Sequence, residues 1–416
     1  SNRELVFQTP GSGTTLTLNV PLGGPVNSAV NGLTKGGEGL LLLNGAFNSY
    51  TGTTTLNAGT LRFGNLAPVQ NPLFYRFATP PGLSQTATTS NADTLVLNPG
   101  ATLDLNGKSM TSGGMYLAGA ATTLPGAGGV LTNSSTSDSS DLVLALAANR
   151  DFMGQITGNL NLFKTGGNGN LLSLRSNNSY TGLTTLMGGS LVLIDQGSLS
   201  GTSGIVVRNA SLLWDDSGIQ AVANRFSSAT PIALDGGAFS FTSRSGTDAA
   251  LTLGPLTLAG GANVLRQNVG NSGLGSSAIT LSSLNRSTGA TLNFLALLGA
   301  PGDNPNFRLA NVPALSGGIL GGWATVGGVD SYSGNAGINY GFATYDPVTG
   351  VRALTAPMLV SSFAGLATSA VGRNLALTGT DTVPAGGTSI NSLTMAKSGP
   401  QAVNFATAND VLTIVT

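Results

Sequence analysis

The chain has no cysteine and no histidine among its 416 residues. That removes disulfides, thiolate nucleophiles, imidazole bases and the common zinc sites together. Charge is scarce as well, at 8% of residues against roughly 25% in an ordinary globular domain. Glu4 and Glu38 are the only glutamates, and Lys35, Lys108, Lys164 and Lys397 are all the lysines. The net charge is zero, so no basic field draws in nucleic acid or anionic lipid. No apolar run approaches the ~18–20 residues of a bilayer-spanning helix; the longest, such as Leu40–Leu43, are far shorter. A signal peptide and an initiator Met are also missing, and both ends read as strand text, RELVF at 3–7 and VLTIVT at 411–416. The expectation is a processed protein or a piece of a longer one.

In place of charge the chain has 61 glycines, much Ser, Thr and Asn, and an apolar fraction of 41%, enough to bury a core. Repeats are the first thing to seek in such text. Residues 48–61 read NSYTGTTTLNAGTL and residues 178–191 read NSYTGLTTLMGGSL. A pattern of Leu, two residues, Gly and a small residue recurs at 56–60, 97–101, 186–190, 234–238 and 258–262. Apolar residues alternate on both sides of it, as at Leu95, Leu97, Leu103 and Leu105, or at Ile232, Leu234, Phe239 and Phe241. A period of two marks a strand with one buried face, and glycine supplies the tight corner between strands.

A sandwich or barrel and a β-solenoid both accommodate many short strands. The solenoid is favoured, because near-identical distant segments suggest repeated coils and uncharged Ser, Thr and Asn stack in ladders without repulsion. Coils of roughly 20–25 residues stacked about 4.8 Å apart give a rod on the order of 80–100 Å. Residues 1–416 are thus expected to form one continuous, all-β solenoid with Gly/Asn corners. Helical spacing in 218–228 and 361–374 predicts one or two short helices. Residues 66–92, with Pro68, Pro72, Pro80 and Pro81, and residues 300–312 are expected as loops thrown out of the coil.

The two long similar segments, LTKGGEGLLLLNGAFNSYTGTTTLNAGTLRFGN (33–65) and LFKTGGNGNLLSLRSNNSYTGLTTLMGGSLVL (162–193), resemble the autotransporter-associated β-strand repeat. The Lys-Gly-Gly or Lys-Thr-Gly-Gly lead-in, the Tyr-Thr-Gly and the Thr-Thr-Leu-x-x-Gly-x-Leu carry the resemblance. Residues 223–241, 321–331, 340–354 and 390–396 are similar to stretches that accompany this repeat. The resemblance implies a right-handed parallel β-helix in large secreted or outer-membrane-associated bacterial proteins. It implies no reaction, cofactor or catalytic residue.

The residues left for chemistry are carboxylates, Arg, Lys, Tyr and hydroxyls. Asp215-Asp216 is the only adjacent acid pair; consecutive strand residues face opposite ways, so a solvated turn after a strand Val206–Leu213 is the expectation. Trp214 beside it reads as partial core cover rather than a sugar platform. Asp104-Leu-Asn106-Gly107 echoes a calcium loop, but Met115 stands where a bidentate Glu is required, and turn chemistry accounts for Asn106-Gly107. TGGNGN (165–170) lacks the Lys-Ser/Thr ending of a P-loop and reads as a corner. Alternation would place Arg62, Arg175, Arg208 and Arg266 outward. Phe74, Tyr75 and Phe77 in the Pro-rich insertion read either as a flap over the coil or as a possible interface.

No catalytic, metal or cofactor-binding set emerges. The expectation is an extracellular structural protein at the bacterial surface, assembling with copies of itself into a fibre, sheath or layer, and not an enzyme. An adhesin or passenger presenting loops on a rigid stalk to other surface components is the alternative, and a polysaccharide-active enzyme a third. Nucleic acid is not an expected partner.

Overall fold

The computed structural model describes residues 3–20, 22, 31–44, 53–64, 94–112, 114–116, 124–167, 169–268, 277–296, 307–327, 341–395 and 400–415. They fall into two compact units, Ser1–Ala233 and Leu234–Thr416.

In the first unit the chain alternates between sheets. Arg3–Gln8, Asn31–Gly36, Thr54–Leu56, Thr94–Leu97 and Gly114–Tyr116 form one sheet, while Thr15–Leu18, Leu40–Leu43, Gly59–Phe63, Ala101–Asp104, Val130–Asn133 and Gln155–Gly158 form another. Further on, Met110–Ser112, Ser140–Leu146, Leu160–Gly166, Thr184–Leu186 and Ile205–Arg208 share a sheet. Arg150–Phe152, Leu171–Leu174, Ser190–Leu193 and Ser211–Asp215 share its companion. Successive strands belong to different sheets, and each pairs in parallel with a strand one coil away, as Leu171 opposes Ser190 and Ser190 opposes Ser211. This is an all-β coil of parallel sheets.

The alternating leucines explain why it winds this way. Leu41, Leu61, Leu103, Leu131 and Ile156 stand in register on five consecutive strands, and none is more than 1% exposed. Burying each such side chain is worth about 1.5–3 kcal/mol, and a one-residue slip would turn the whole column outward. The turn chemistry agrees: Asn106 (φ 47°) and Gly107 (φ 79°) are both left-handed, and the Lys108 amide donates to the Leu105 carbonyl at 2.9 Å, the mark of a type I′ turn.

The second unit begins with parallel ladders of the same kind. Ala249–Gly260, Ser277–Arg286 and Phe307–Leu309 stack in one sheet, and Ala238–Thr242, Ala262–Asn268, Thr291–Ala296 and Ala324–Val326 in the other. The pattern then changes. Ala324–Val326 pairs antiparallel with Gly341–Asp346, which forms a hairpin with Gly350–Ala353. A four-stranded parallel sheet of Leu359–Val360, Ser369–Leu377, Thr388–Met395 and Leu412–Ile414 follows. It has its own core of Phe363, Leu375, Leu377, Val383 and Ile390.

Three sequence expectations are corrected. Among the described residues there is no helix. In 218–228, Ile219 is 71% exposed while the adjacent Arg225 and Phe226 are both buried, so its apolar spacing does not define one helical face. In 361–374, Gly365 is left-handed at φ 76° and Ser369–Leu377 is drawn into the sheet by Thr388–Met395. The second expected loop, 300–312, contains the strand Phe307–Leu309, whose Phe307 is buried against Phe294 at 5.3 Å between ring centroids; residues 300–306 lie outside the described residues. The expected strand Val206–Leu213 is divided at Asn209, left-handed at φ 44°, into Ile205–Arg208 and Ser211–Asp215.

Candidate functional site

Lys35 and Lys164, in the lead-ins of the two similar segments, are both wholly buried. Each sits beside the leucine that opens the next corner: Lys35 opposes Leu56 and Lys164 opposes Leu186. From there the side chain reaches over the following coil. Lys35 Nζ donates to the carbonyls of Gly36 (3.0 Å), Gly37 (2.6 Å) and Ala58 (2.9 Å). Lys164 Nζ donates to those of Asn170 (2.8 Å) and Gly188 (2.7 Å). Ala58 and Gly188 occupy equivalent places, one residue before Gly59 (φ 64°) and Gly189 (φ 59°), which are left-handed. A Cβ on Gly189 would lie 2.0 Å from the Asn170 carbonyl oxygen and 2.4 Å from Lys164 Nζ. Glycine is therefore required there twice over, by conformation and by space. Burial pushes the Lys164 amine down to about 8 and moves Lys35 in the same direction.

The second segment is further braced from inside. Asn178, fully buried, accepts from the Ile156 amide at 3.0 Å and donates to the Ser176 (2.7 Å) and Ser198 (3.1 Å) carbonyls, joining three coils. The Tyr180 hydroxyl lies 2.6 Å from Thr184 Oγ1, itself 2.9 Å from Thr202 Oγ1. Burial raises the Tyr180 phenol well above its ordinary value.

These two segments, residues 33–63 and 157–193, match the family model described as Passenger-associated-transport-repeat. The chain carries this transport repeat twice. No curated protein and no solved structure matches the chain. The buried lysine thus belongs to the transport repeat in both copies. The lead-in Lys-Gly-Gly and Lys-Thr-Gly-Gly signalled the repeat, but nothing local in it signals that the ammonium turns inward toward a corner more than 20 residues on.

Arginine and aspartate gather within and around the second transport repeat. Arg225 is fully buried and all its N–H groups are used. Nε and Nη2 donate to Asp216 Oδ1 (3.0 and 2.7 Å), Nη2 to the Asp215 carbonyl (2.7 Å), and Nη1 to the Asp195 and Gly197 carbonyls (3.1 and 2.6 Å). Burial lowers its affinity for the proton, and Asp216 opposes that effect. Trp214 Nε1 donates to Asp216 Oδ2 at 3.1 Å, with its ring edge-on to Phe226 at 5.1 Å. Arg175 bridges Asp151 (2.9 Å) and Asp195 (2.6 Å). Burial works against its charge, but the two aspartates outweigh it and hold the guanidinium above its ordinary value.

The expected solvated turn at Asp215-Asp216 is therefore corrected. Asp215 caps Ser217 through that residue's amide (2.9 Å) and hydroxyl (2.6 Å), while Asp216 turns in to satisfy a buried guanidinium. Trp214, 2% exposed, is core rather than partial cover. The outward placement of the arginines holds for Arg208 and fails for Arg266, which is buried. Arg62 is partly covered through its 2.7 Å pairing with Asp104. Asp104 also accepts from the Asn106 amide, the Ser134 amide and the Ser134 hydroxyl, so its oxygens face donors. Among the described residues, no three His, Cys, Asp or Glu groups gather as metal ligands, and no helix is long and apolar enough to cross a membrane. Phe74, Tyr75 and Phe77 lie outside the described residues.

Proposed function

We propose that the protein is a secreted, passenger-type component of a bacterial surface, a non-catalytic solenoid scaffold that holds contact loops away from the cell. The observation that carries this reading is the pair of transport repeats built into parallel coils with the same lysine-and-glycine corner. The parallel coils of each unit are read as solenoid coils, wound right-handed as parallel crossover connections are. The aspartates a polysaccharide hydrolase would need free are engaged instead: Asp216 by Arg225 and Trp214, Asp195 by Arg175. Phe74, Tyr75 and Phe77 are the proposed contact residues. Antibody labelling of intact, unpermeabilised source cells tests the location. Surface labelling lost after brief external proteolysis supports the reading, and labelling seen only after permeabilisation overturns it.

A second reading, self-assembly into a fibre, sheath or layer, is favoured by the zero net charge and the scarcity of lysine, which leave little electrostatic repulsion between copies. Negative-stain microscopy of protein purified without denaturant decides it. Filaments or sheets with a regular subunit spacing support assembly; isolated particles at every concentration leave the scaffold reading alone.

A further inference from the structure

We propose that Lys35 and Lys164 are inter-coil locks. Each feeds N–H donors to the carbonyl that precedes a left-handed glycine in the following coil, and this donor, rather than burial of the aliphatic stem, fixes the register of that coil. The inference does not depend on where the protein acts.

Three observations carry it. The geometry recurs in two places far apart in the chain: Lys35 with the Ala58 carbonyl before Gly59, and Lys164 with the Gly188 carbonyl before Gly189. Neither ammonium has a carboxylate partner among the described residues, so no ion pair explains its burial; backbone carbonyls are what meet it. A third corner of the same form has the same requirement met by a different side chain. There Asn263 Nδ2 donates to the Gly260 carbonyl at 2.9 Å, just before Gly261 (φ 64°), and also to the Gly261 and Thr291 carbonyls. Lysine and asparagine share no shape and no charge. They share an N–H donor, which identifies the donor as the element the corner needs.

The need is physical. A left-handed glycine turns the preceding carbonyl away from the ladder, and a buried carbonyl without a donor costs about 1–3 kcal/mol. A side chain reaching across from another coil satisfies it only when the two coils are in register. Partner choice and register are then one event.

Lys164→Met tests this, because it retains an unbranched apolar stem and removes the N–H groups. Native-state hydrogen exchange would be read at the Met187 and Ser190 amides, which donate to the Lys164 and Asn170 carbonyls, and at the distant Leu40 amide, which donates to the Thr14 carbonyl. The expected result is about a tenfold or greater loss of protection at Met187 and Ser190, the scale of one hydrogen bond to a charged group, with Leu40 unchanged. Unchanged protection at Met187 and Ser190, or an equal loss at all three, overturns the proposal. Where Lys164→Met does not fold, Lys164→Ala refolded in n-butylamine decides. Recovery of folded protein that depends on the amine supports the lock, and failure at every amine concentration overturns it.

Discussion

A lysine in the first unit and an asparagine in the second hold equivalent corners by different means. Lys164 spans the gap with a flexible stem and a charge, and its position is set by the strand Leu160–Gly166, a coil away from the carbonyl it serves. Asn263 sits two residues beyond Gly261 and reaches in three directions with a short neutral amide: the Gly260 and Gly261 carbonyls nearby, Thr291 on one neighbouring coil, and the Gly237 amide on the other. The lysine ties one coil to the next. The asparagine braces its own corner and spends its remaining valences on both neighbours. Arg225 extends the charged solution to its limit, five donors for three carbonyls and a carboxylate. The lesson is that the corner demands donors, and the side chain that supplies them is free to vary.

That comparison is broken most severely by removing the most heavily committed donor. Arg225→Met leaves Asp216 in a buried site with Trp214 as its remaining side-chain donor, and a buried charge stripped of its partner costs about 3–5 kcal/mol. Chemical denaturation followed by tryptophan fluorescence should lose stability at least on that scale; the double variant Arg225→Met/Asp216→Leu should recover only the part owed to the unpaired carboxylate, because the Asp195, Gly197 and Asp215 carbonyls stay without their donor.

Asn263→Ala comes next, at about 2–3 kcal/mol, because it strands the Gly260 carbonyl and the Gly237 amide together. Its effect in hydrogen exchange should extend to both flanking strands, Ala238–Thr242 and Thr291–Ala296. A Lys164 change, by contrast, should act on one side. An Asn263→Ala variant whose exchange changes only at its own corner would erase the distinction drawn here.

The last expected effect is with pH. The Lys164 amine titrates at about 8 in the fold and ordinarily near 10.5, so between these values the unfolded chain binds the extra proton. Stability should therefore rise with pH from about 8 to 10.5, and the cost of burying the ammonium applies in full below 8. Two N–H groups remain on the neutral amine, as many as its two carbonyls need. Lys35, with three acceptors, needs all three hydrogens of the ammonium. Comparing denaturation midpoints from pH 7 to 10 in the parent and in Lys164→Met should show a steeper rise in the parent than in the variant, which keeps Lys35 alone.

Much of the coil was legible in the sequence. Alternation alone places Leu95, Leu97, Leu103 and Leu105 inward, and all are buried; the corner pattern puts Gly59 and Gly189 at bends, and both are left-handed. At 234–238 the left-handed residue is instead Gly236, with the Gly237 amide committed to Asn263 Oδ1. The misses share a cause. Helical spacing at 218–228 ignored Arg225, whose partners come from residues 195–197 as well as the adjacent 215–216. Asp216 reads as a solvated charge because charged residues usually are, and nothing in the lead-ins marks the lysines as inward. Alternation reports which face a residue occupies; it does not report what waits on that face one coil away.

Because Lys35 and Lys164 are screened from solvent and bonded to neutral carbonyls, ions in the surrounding water have little purchase on them. Debye screening weakens pairs of exposed charges and barely reaches a buried contact. Exposed ion pairs such as Arg352 with Asp346, 3.7 Å apart, will loosen as salinity climbs. The lysine contacts at the two transport repeats should feel almost none of it, so brine and fresh water alike would find those two corners held.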